Sequence, residues 1–447
     1  MHLDRSTLHA DLSALQRVCH GVADQISLQL NGNQISLQQT GQLAAQQLYY
    51  QFVKRSLKYQ ILLNLLHSGA TSKADFAADL AISVSTLNRR LHELNQLLAE
   101  YNIQIKNGRL VGFENQIRYF YFHLLWFARP YRVNEQEMTD WMIDTFMAKV
   151  EQKFDHPFTE AGAMKMRIWL YILEQRRKNN DLAQVQYFPE PTDFSTASFR
   201  LTQTLSDPFF EKYIFSWNRH EHIALYMFVQ GTMVLDTNNH AAQVLIADAA
   251  QQLVVKQLNQ RFLAITQKQF DFQQLPTTFQ ARLLDSLTQI HYNFIHFQGL
   301  FRSIYYHSIT DQIQSEPRLN AVYQRLLQPE TGVLTEFDKY LSWRYLPLLY
   351  LMMHESKVLL HVGCDFSMET SAAQSMIGQI RAYVPIGIKI ALELYSTTAT
   401  YDVILTDMDR VYSPATPTFV FLNLQNELDV PRLKNFLTDH YFDKLFQ

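Results

Sequence analysis

A repeat near the amino end constrains this chain more than any other feature. Leu3 to Gln16 reads LDRSTLHADLSALQ, and Ile82 to Asn95 reads ISVSTLNRRLHELN. Ser6-Thr7-Leu8 returns as Ser85-Thr86-Leu87, and Leu12 and Leu15 match Leu91 and Leu94. Each copy leads into an alternating segment around Asn-Gly. The first is ISLQLNGNQISL, Ile26 to Leu37, with Asn31-Gly32 at the turn; the second is IQIKNGRLVG, Ile103 to Gly112, with Asn107-Gly108. Asn-Gly between alternating apolar residues signals a hairpin, because both turn residues must take positive φ. Helix followed by hairpin is the second half of a winged helix-turn-helix.

The second copy reads in full. Arg55 to His67 has apolar residues at helical spacing and Gly69 ends it. Lys73 to Leu80 forms a short second helix, and Ser83 is a natural N-cap for a third. There Val84, Leu87, Leu91, Leu94 and Leu98 make one buried stripe. The opposite face shows Ser85, Asn88, Arg89 and His92, with Thr86 and Arg90 on its flanks. Short polar and amide side chains reach base edges, and arginine clamps guanine or phosphate, so this face suits a recognition helix. Lys106 and Arg109 flank the hairpin tip, where a wing would meet the backbone of double-stranded DNA. Arg5, Ser6 and Thr7 open the first recognition helix, Leu3 to Val18. Counterparts of residues 55–81 are absent ahead of it, so that helix is expected to have little scaffold beneath it. The plainer reading of both helices is an amphipathic helix with a solvated face, or a fold used for protein contacts.

Charge favours the nucleic-acid reading. Residues 54–132 hold eleven basic and five acidic side chains, a local balance of +6 in a chain whose total is −3. The remainder is therefore −9, which joins one anion-binding module to neutral or acidic ones. At 447 residues, 47% hydrophobic and with 13 Gly and 13 Pro, the chain has apolar groups enough to fold and is too long for one ordinary core. Two cysteines, Cys19 and Cys364, allow no disulfide framework and fit a reducing compartment. Apolar runs such as Tyr345 to Met353 stop at about half the ~18 residues a membrane span needs. Met1-His2-Leu3-Asp4-Arg5 does not read as a signal peptide, so a cytoplasmic protein with no membrane partner is expected.

Residues 115–355 read as almost wholly helical. The segments are Gln116 to Phe127, Glu135 to Phe154, Ala161 to Lys178, Glu221 to Leu235, Ala241 to Leu263, Pro276 to Phe297 and Ala321 to Leu327. High aromatic density suits helix–helix packing into two bundles. The 16 histidines give no metal motif: His220 and His222 are two apart, His291 and His296 five apart, and no HExxH occurs. Each reads better as a satisfied helix or interface histidine than as a ligand. No catalytic constellation, cofactor motif or metal cluster is apparent.

From Lys357 strands alternate with helices. Val358 to Val362, Ile388 to Leu394, Tyr401 to Asp407 and Thr418 to Leu424 read as strands; Ser367 to Tyr383 and Val430 to Phe446 read as helices. That alternation indicates a parallel sheet. Cys364 is placed two residues after the first strand, with Ser367, Thr370 and Ser371 opening the next helix. A helix start can stabilise a thiolate or phosphate, but Asp365 and Glu369 oppose an anion there, which favours a degenerate, interaction-only site.

The segment SVSTLNRRLHELNQLLAEYNIQIKNGRLVG followed by NQIRYFYFHLLW closely resembles the second DNA-binding domain of the Mga and AtxA regulators of Gram-positive bacteria. The resemblance implies a mainly α, multidomain protein. It implies a truncated first winged helix-turn-helix (1–40), a second with linking helices (41–128), two helical regulatory bundles (129–237 and 238–354), and a C-terminal α/β parallel-sheet domain like sugar-transport IIB enzymes (355–447). It further implies a transcription regulator, often an activator, that forms a homodimer through its C-terminal parts. Control would come from histidine phosphorylation by a phosphocarrier protein of the sugar phosphotransferase system. Residue by residue, Arg167 stands near the first expected histidine and Tyr226 at the second. His291 is retained in the third, and Leu348 or a neighbour replaces the last, with His354 beyond it. His291 is therefore the phosphorylation candidate. Two alternatives stay open: a phosphocarrier enzyme using Cys364, or a receiver using Asp407 or Asp409; and a sensor or scaffold that has lost DNA binding.

Overall fold

The chain is mainly helical and multidomain, as its patterning indicates, with a four-stranded parallel sheet at its carboxyl end. The computed structural model describes residues 5–19, 26–31, 34–39, 45–67, 72–128, 141–179, 186–188, 200, 203, 219–267, 270, 272, 275–299, 317–328, 339–385, 387–421 and 429–446. It divides into two compact units, Met1–Leu253 with Gln289–Ser303, and Val254–Thr288 with Ile304–Gln447.

In the first unit, α1 (Arg5–Cys19) leads into a hairpin of β1 (Ile26–Asn31) and β2 (Gln34–Gln39). The register pairs Asn31 with Gln34, so Asn31, expected at the turn, joins the ladder instead. Gly32 and Asn33 themselves lie outside the described residues.

Next come α2 (Ala45–Arg55), α3 (Leu57–His67), α4 (Lys73–Asp79), α5 (Val84–Leu98), β3 (Gln104–Lys106), β4 (Arg109–Val111) and α6 (Glu114–Ala128). The helix expected from Arg55 starts at Leu57, because α2 occupies the chain up to Arg55. α3 buries Tyr59, Ile61, Leu62, Leu65 and Leu66, and α4, which packs on α5, buries Phe76 and Ala77. α6 is buried on almost every side, polar residues included, which marks it as the centre of its unit.

After α6 come α7 (Trp141–Phe154), α8 (Glu160–Asn179), α9 (Arg219–Gly231) and α10 (His240–Gln251); α8 packs on α6 and α7, and α10 on α9. Residues 135–140 of the helix expected from Glu135 lie outside the described set. Trp169 of α8 stacks on Phe228 of α9 at 4.2 Å, and Phe122 of α6 meets Phe228 edge-on at 5.0 Å. Two polar contacts tie the helix-turn-helix to this bundle. The Tyr121 hydroxyl donates to the Leu62 carbonyl at 3.0 Å, and His67 Nε2 lies 2.8 Å from the Tyr171 hydroxyl. The helix expected over Ala241 to Leu263 is two helices, α10 and α11 (Leu253–Thr266). The backbone turns extended at Gln252 (ψ 130°), a break with no Gly or Pro to announce it.

The second unit takes most of α11, the first turns of α12 (Thr277–His296), α13 (Pro317–Leu327) and α14 (Lys339–Glu355). Arg261 donates to the carbonyls of Leu326 and Gln328, both at 2.7 Å, and so satisfies the open end of α13. A parallel sheet follows in the order β6-β5-β7-β8: β5 (Leu360–Asp365), β6 (Ile390–Leu394), β7 (Val403–Thr406) and β8 (Thr418–Val420). It is accompanied by α15 (Thr370–Tyr383) and α16 (Asp429–Leu445).

β5 differs from expectation. It starts two residues later and contains Cys364, which pairs with Leu394 and Leu405 instead of following the strand. Leu360, Val362 and Cys364 alternate inward, the thiol behaving as a small apolar side chain. The following helix begins at Thr370, because Ser367 is held in the loop: its N–H and Oγ both donate to the Asp407 carboxylate, at 2.7 and 2.8 Å.

Candidate nucleic-acid interface

Ser83 caps α5 as expected, its Oγ accepting the Thr86 N–H at 3.1 Å. Leu87, Leu94 and Leu98 are buried and Leu91 half-buried, but Val84 is 43% exposed. Val84 occupies the first turn of α5, one turn ahead of the buried Leu87. The outer side carries Ser85, Asn88, Arg89, His92 and Gln96, all exposed, with His92 Nε2 3.3 Å from Gln96 Nε2. Thr86 and Arg90 are half-buried on its flanks.

The two neighbouring arginines differ. Arg89 makes no ion pair among the described residues. Arg90 donates to both oxygens of Glu93, at 2.9 and 3.2 Å, and Glu93 also holds Lys58 of α3 at 3.0 Å. The bonds from Lys58 and then Arg90 keep the Glu93 carboxyl below its usual range. Sequence reasoning missed Lys58 and Glu93 as partners, since the pairing joins two helices. Its only local signal is the i, i+3 spacing of Arg90 and Glu93.

The wing is a two-residue hairpin closed by Lys106↔Arg109, with Asn107 at φ 50° and Gly108 at φ 70°. These are the positive values a type I′ turn requires. Lys106 and Arg109 face solvent, while Ile105 and Leu110 face inward. In the first copy, Arg5, Ser6 and Thr7 open α1, and their side chains lie outside the described residues. Ile35 and Leu37 of its hairpin are exposed.

The first unit also holds a buried charge network. Arg118 donates to Glu114 at 2.9 Å and to the two oxygens of Glu221 at 2.6 and 2.8 Å. Arg176 donates to both oxygens of Glu114 at 3.1 and 2.7 Å, and the Tyr187 hydroxyl closes on Glu221. Burial works to raise the Glu114 carboxyl, but the guanidiniums of Arg176 and Arg118 outweigh it and hold the group ionised. Two positive and two negative charges thus balance where α6, α8 and α9 meet. Glu114 and Arg118, both within the basic segment, cancel inside it, so the charge presented to solvent comes from the others.

The remaining candidates are scattered. His291 is 0% exposed on α12. His296 is half-buried, 3.2 Å from Gln252 Oε1, and desolvation of its ring pushes it down to about 4. Tyr226 donates to Asp248 at 2.9 Å, and Arg167 pairs with Asp144. In the second unit Cys364 is 1% exposed and burial pushes its thiol up to about 12. Nearby, Asp365 accepts from Arg410 at 3.0 Å and from the Tyr412 hydroxyl at 2.8 Å. Among the described residues no group of three or more His, Cys, Asp or Glu is arranged to hold a metal ion, and no helix is long and apolar enough to cross a membrane.

Helix, turn, capped helix and basic wing in this order define a winged helix-turn-helix of the kind that reads duplex DNA. Residues 41–125 match the Mga helix-turn-helix domain, from just before α2 to the last turn of α6, and this segment is a domain of that family. Comparison with curated proteins finds no match.

Proposed function

We propose that the protein is a DNA-binding transcription regulator, an activator of the Mga and AtxA kind. α5 lies in the major groove and the β3–β4 wing rests on the flanking phosphates. One observation carries this reading: Arg89, unpaired among the described residues, stands with Ser85, Asn88, His92 and Gln96 on the exposed side of a capped helix beside a cationic wing. Selecting genomic fragments with the full chain and titrating the enriched duplex by anisotropy tests it. Tight binding that Arg89→Ala weakens supports the reading; equal binding by wild type and Arg89→Ala overturns it.

The regulator is cytoplasmic and organised as five modules, 1–40, 41–128, 129–237, 238–354 and 355–447. It forms a homodimer through its C-terminal modules and answers a phosphocarrier protein at His291. Because His291 is buried, its phosphorylation requires α12 to open locally. The added charge, about −1.5 to −2, would then disfavour re-closing. Incubation with the general transferase proteins, read on phosphate-affinity gels, should retard the wild type and not His291→Ala; an unretarded wild type contradicts it. The phosphocarrier alternative at Cys364 is disfavoured, since a buried thiol pushed up to about 12 supplies almost no thiolate.

A further inference from the structure

The DNA-binding reading leaves open what keeps the wing at a fixed height beside the recognition helix. In a two-residue hairpin the closing pair, here Lys106↔Arg109, exchanges both hydrogen bonds across the ladder. The next pair, Ile105↔Leu110, therefore turns its N–H and C=O groups outward. Ile105 is buried, so its outward groups need partners other than water. Asn95 of α5 supplies both. Its Oδ1 accepts the Ile105 N–H at 2.6 Å, and its Nδ2 donates to the Ile105 carbonyl at 3.1 Å. One side-chain amide thus acts as a third strand, borrowed from the helix whose exposed side carries Asn88 and Arg89.

The first module repeats the donor half of the device. Gln16 aligns with Asn95 in the repeat, and its Nε2 donates to the Leu28 carbonyl at 3.3 Å. Leu28↔Leu37 is again a pair of the outward kind, three steps from the closing Asn31↔Gln34 pair. The hairpin is longer there, and so is the amide arm.

We propose that Asn95 is a positioning residue for DNA reading. Its amide latches the β3–β4 wing to α5, so that Lys106 and Arg109 reach phosphate while α5 sits in the groove; Gln16 holds the first wing through its donor bond alone. The proposal rests on the DNA-binding reading above. Its test is a mutant cycle in the full chain, titrating the enriched duplex and a random-sequence duplex over a range of salt.

Asn95→Ala should reduce affinity and lower the salt slope by about two, as Lys106→Ala with Arg109→Ala does. Adding Asn95→Ala to that pair should cost nothing more, because the wing contact is already gone. Asn95→Gln should restore part of the loss, and hydrogen exchange in Asn95→Ala should quicken at β3 and β4 while α5 stays protected. If Asn95→Ala unfolds the domain, Asn95→Asp, which keeps the acceptor and loses the donor, carries the same comparison. Unchanged affinity, or losses that add to those of the wing variants, overturns the latch. Should Arg89→Ala also leave binding unchanged, the DNA-binding reading itself falls. Weakening by Arg89→Ala with none by Asn95→Ala sinks the latch alone.

Discussion

Arg89 and Arg90 are neighbours with different freedom, and Glu93 makes the difference. Glu93 engages Arg90 and Lys58, leaving Arg89 as the cation on the reading side. Arg89→Ala should weaken binding to the enriched duplex by about 1–3 kcal/mol, the cost of one lost bidentate base contact. Arg90→Ala should cost less. Glu93→Gln should free two cations and steepen the dependence of affinity on salt. Anisotropy titrations at several salt concentrations separate these outcomes, and equal losses for the two arginines would contradict the assignment. In the sequence Arg89 and Arg90 differ only in helix face and in the i, i+3 spacing of Arg90 to Glu93; the place of Lys58 on the same carboxylate comes from α3 by tertiary packing, which residue spacing does not encode.

Elements were legible where their signal is local. The Ser83 cap and the Asn107-Gly108 turn fall where the residues place them, because cap and turn chemistry acts over a few residues. The break at Gln252 and the inward place of Cys364 were not legible: the first has no helix-breaking residue, and the second depends on which strand residues meet a core. Of the candidate site, the helix face and wing were read from sequence, while the Asn95 latch and the network behind α6 appear only once distant residues are brought together. That network makes a prediction at the scale of α6, α8 and α9. Removing one guanidinium leaves buried carboxylates without partners, so Arg118→Leu should destabilise the first unit by about 3–5 kcal/mol. Arg118→Leu combined with Glu221→Leu should recover part of that loss, because the orphaned charge goes with its partner. Urea unfolding of the single and paired variants checks this; a double variant no more stable than the single would contradict it. Ser83→Ala should cost about 1 kcal/mol in the same assay.

Across the whole molecule, charge and pH set the working range. The local excess of +6 faces an acidic remainder, which concentrates duplex attraction at one module. Burial pushes His296 down to about 4, whereas in the unfolded chain it titrates near 6.5. The folded state thus favours the neutral ring. Its contribution is complete above about pH 6.5 and is lost as pH falls toward about 4, about 3 kcal/mol in total. Stability measured from pH 7 to pH 4 should fall less steeply in His296→Gln than in the wild type; parallel curves would contradict the burial argument.

On the proposed reading, the exposed side of α5 enters a DNA groove. The most direct measurement places a photoreactive side chain at Asn88 in the full chain, with a second at exposed Asn238 as control, and irradiates each with the enriched duplex. Crosslinks from position 88 to bases, and none from position 238, are the expected result. Adducts from position 238 with none from position 88 would contradict it.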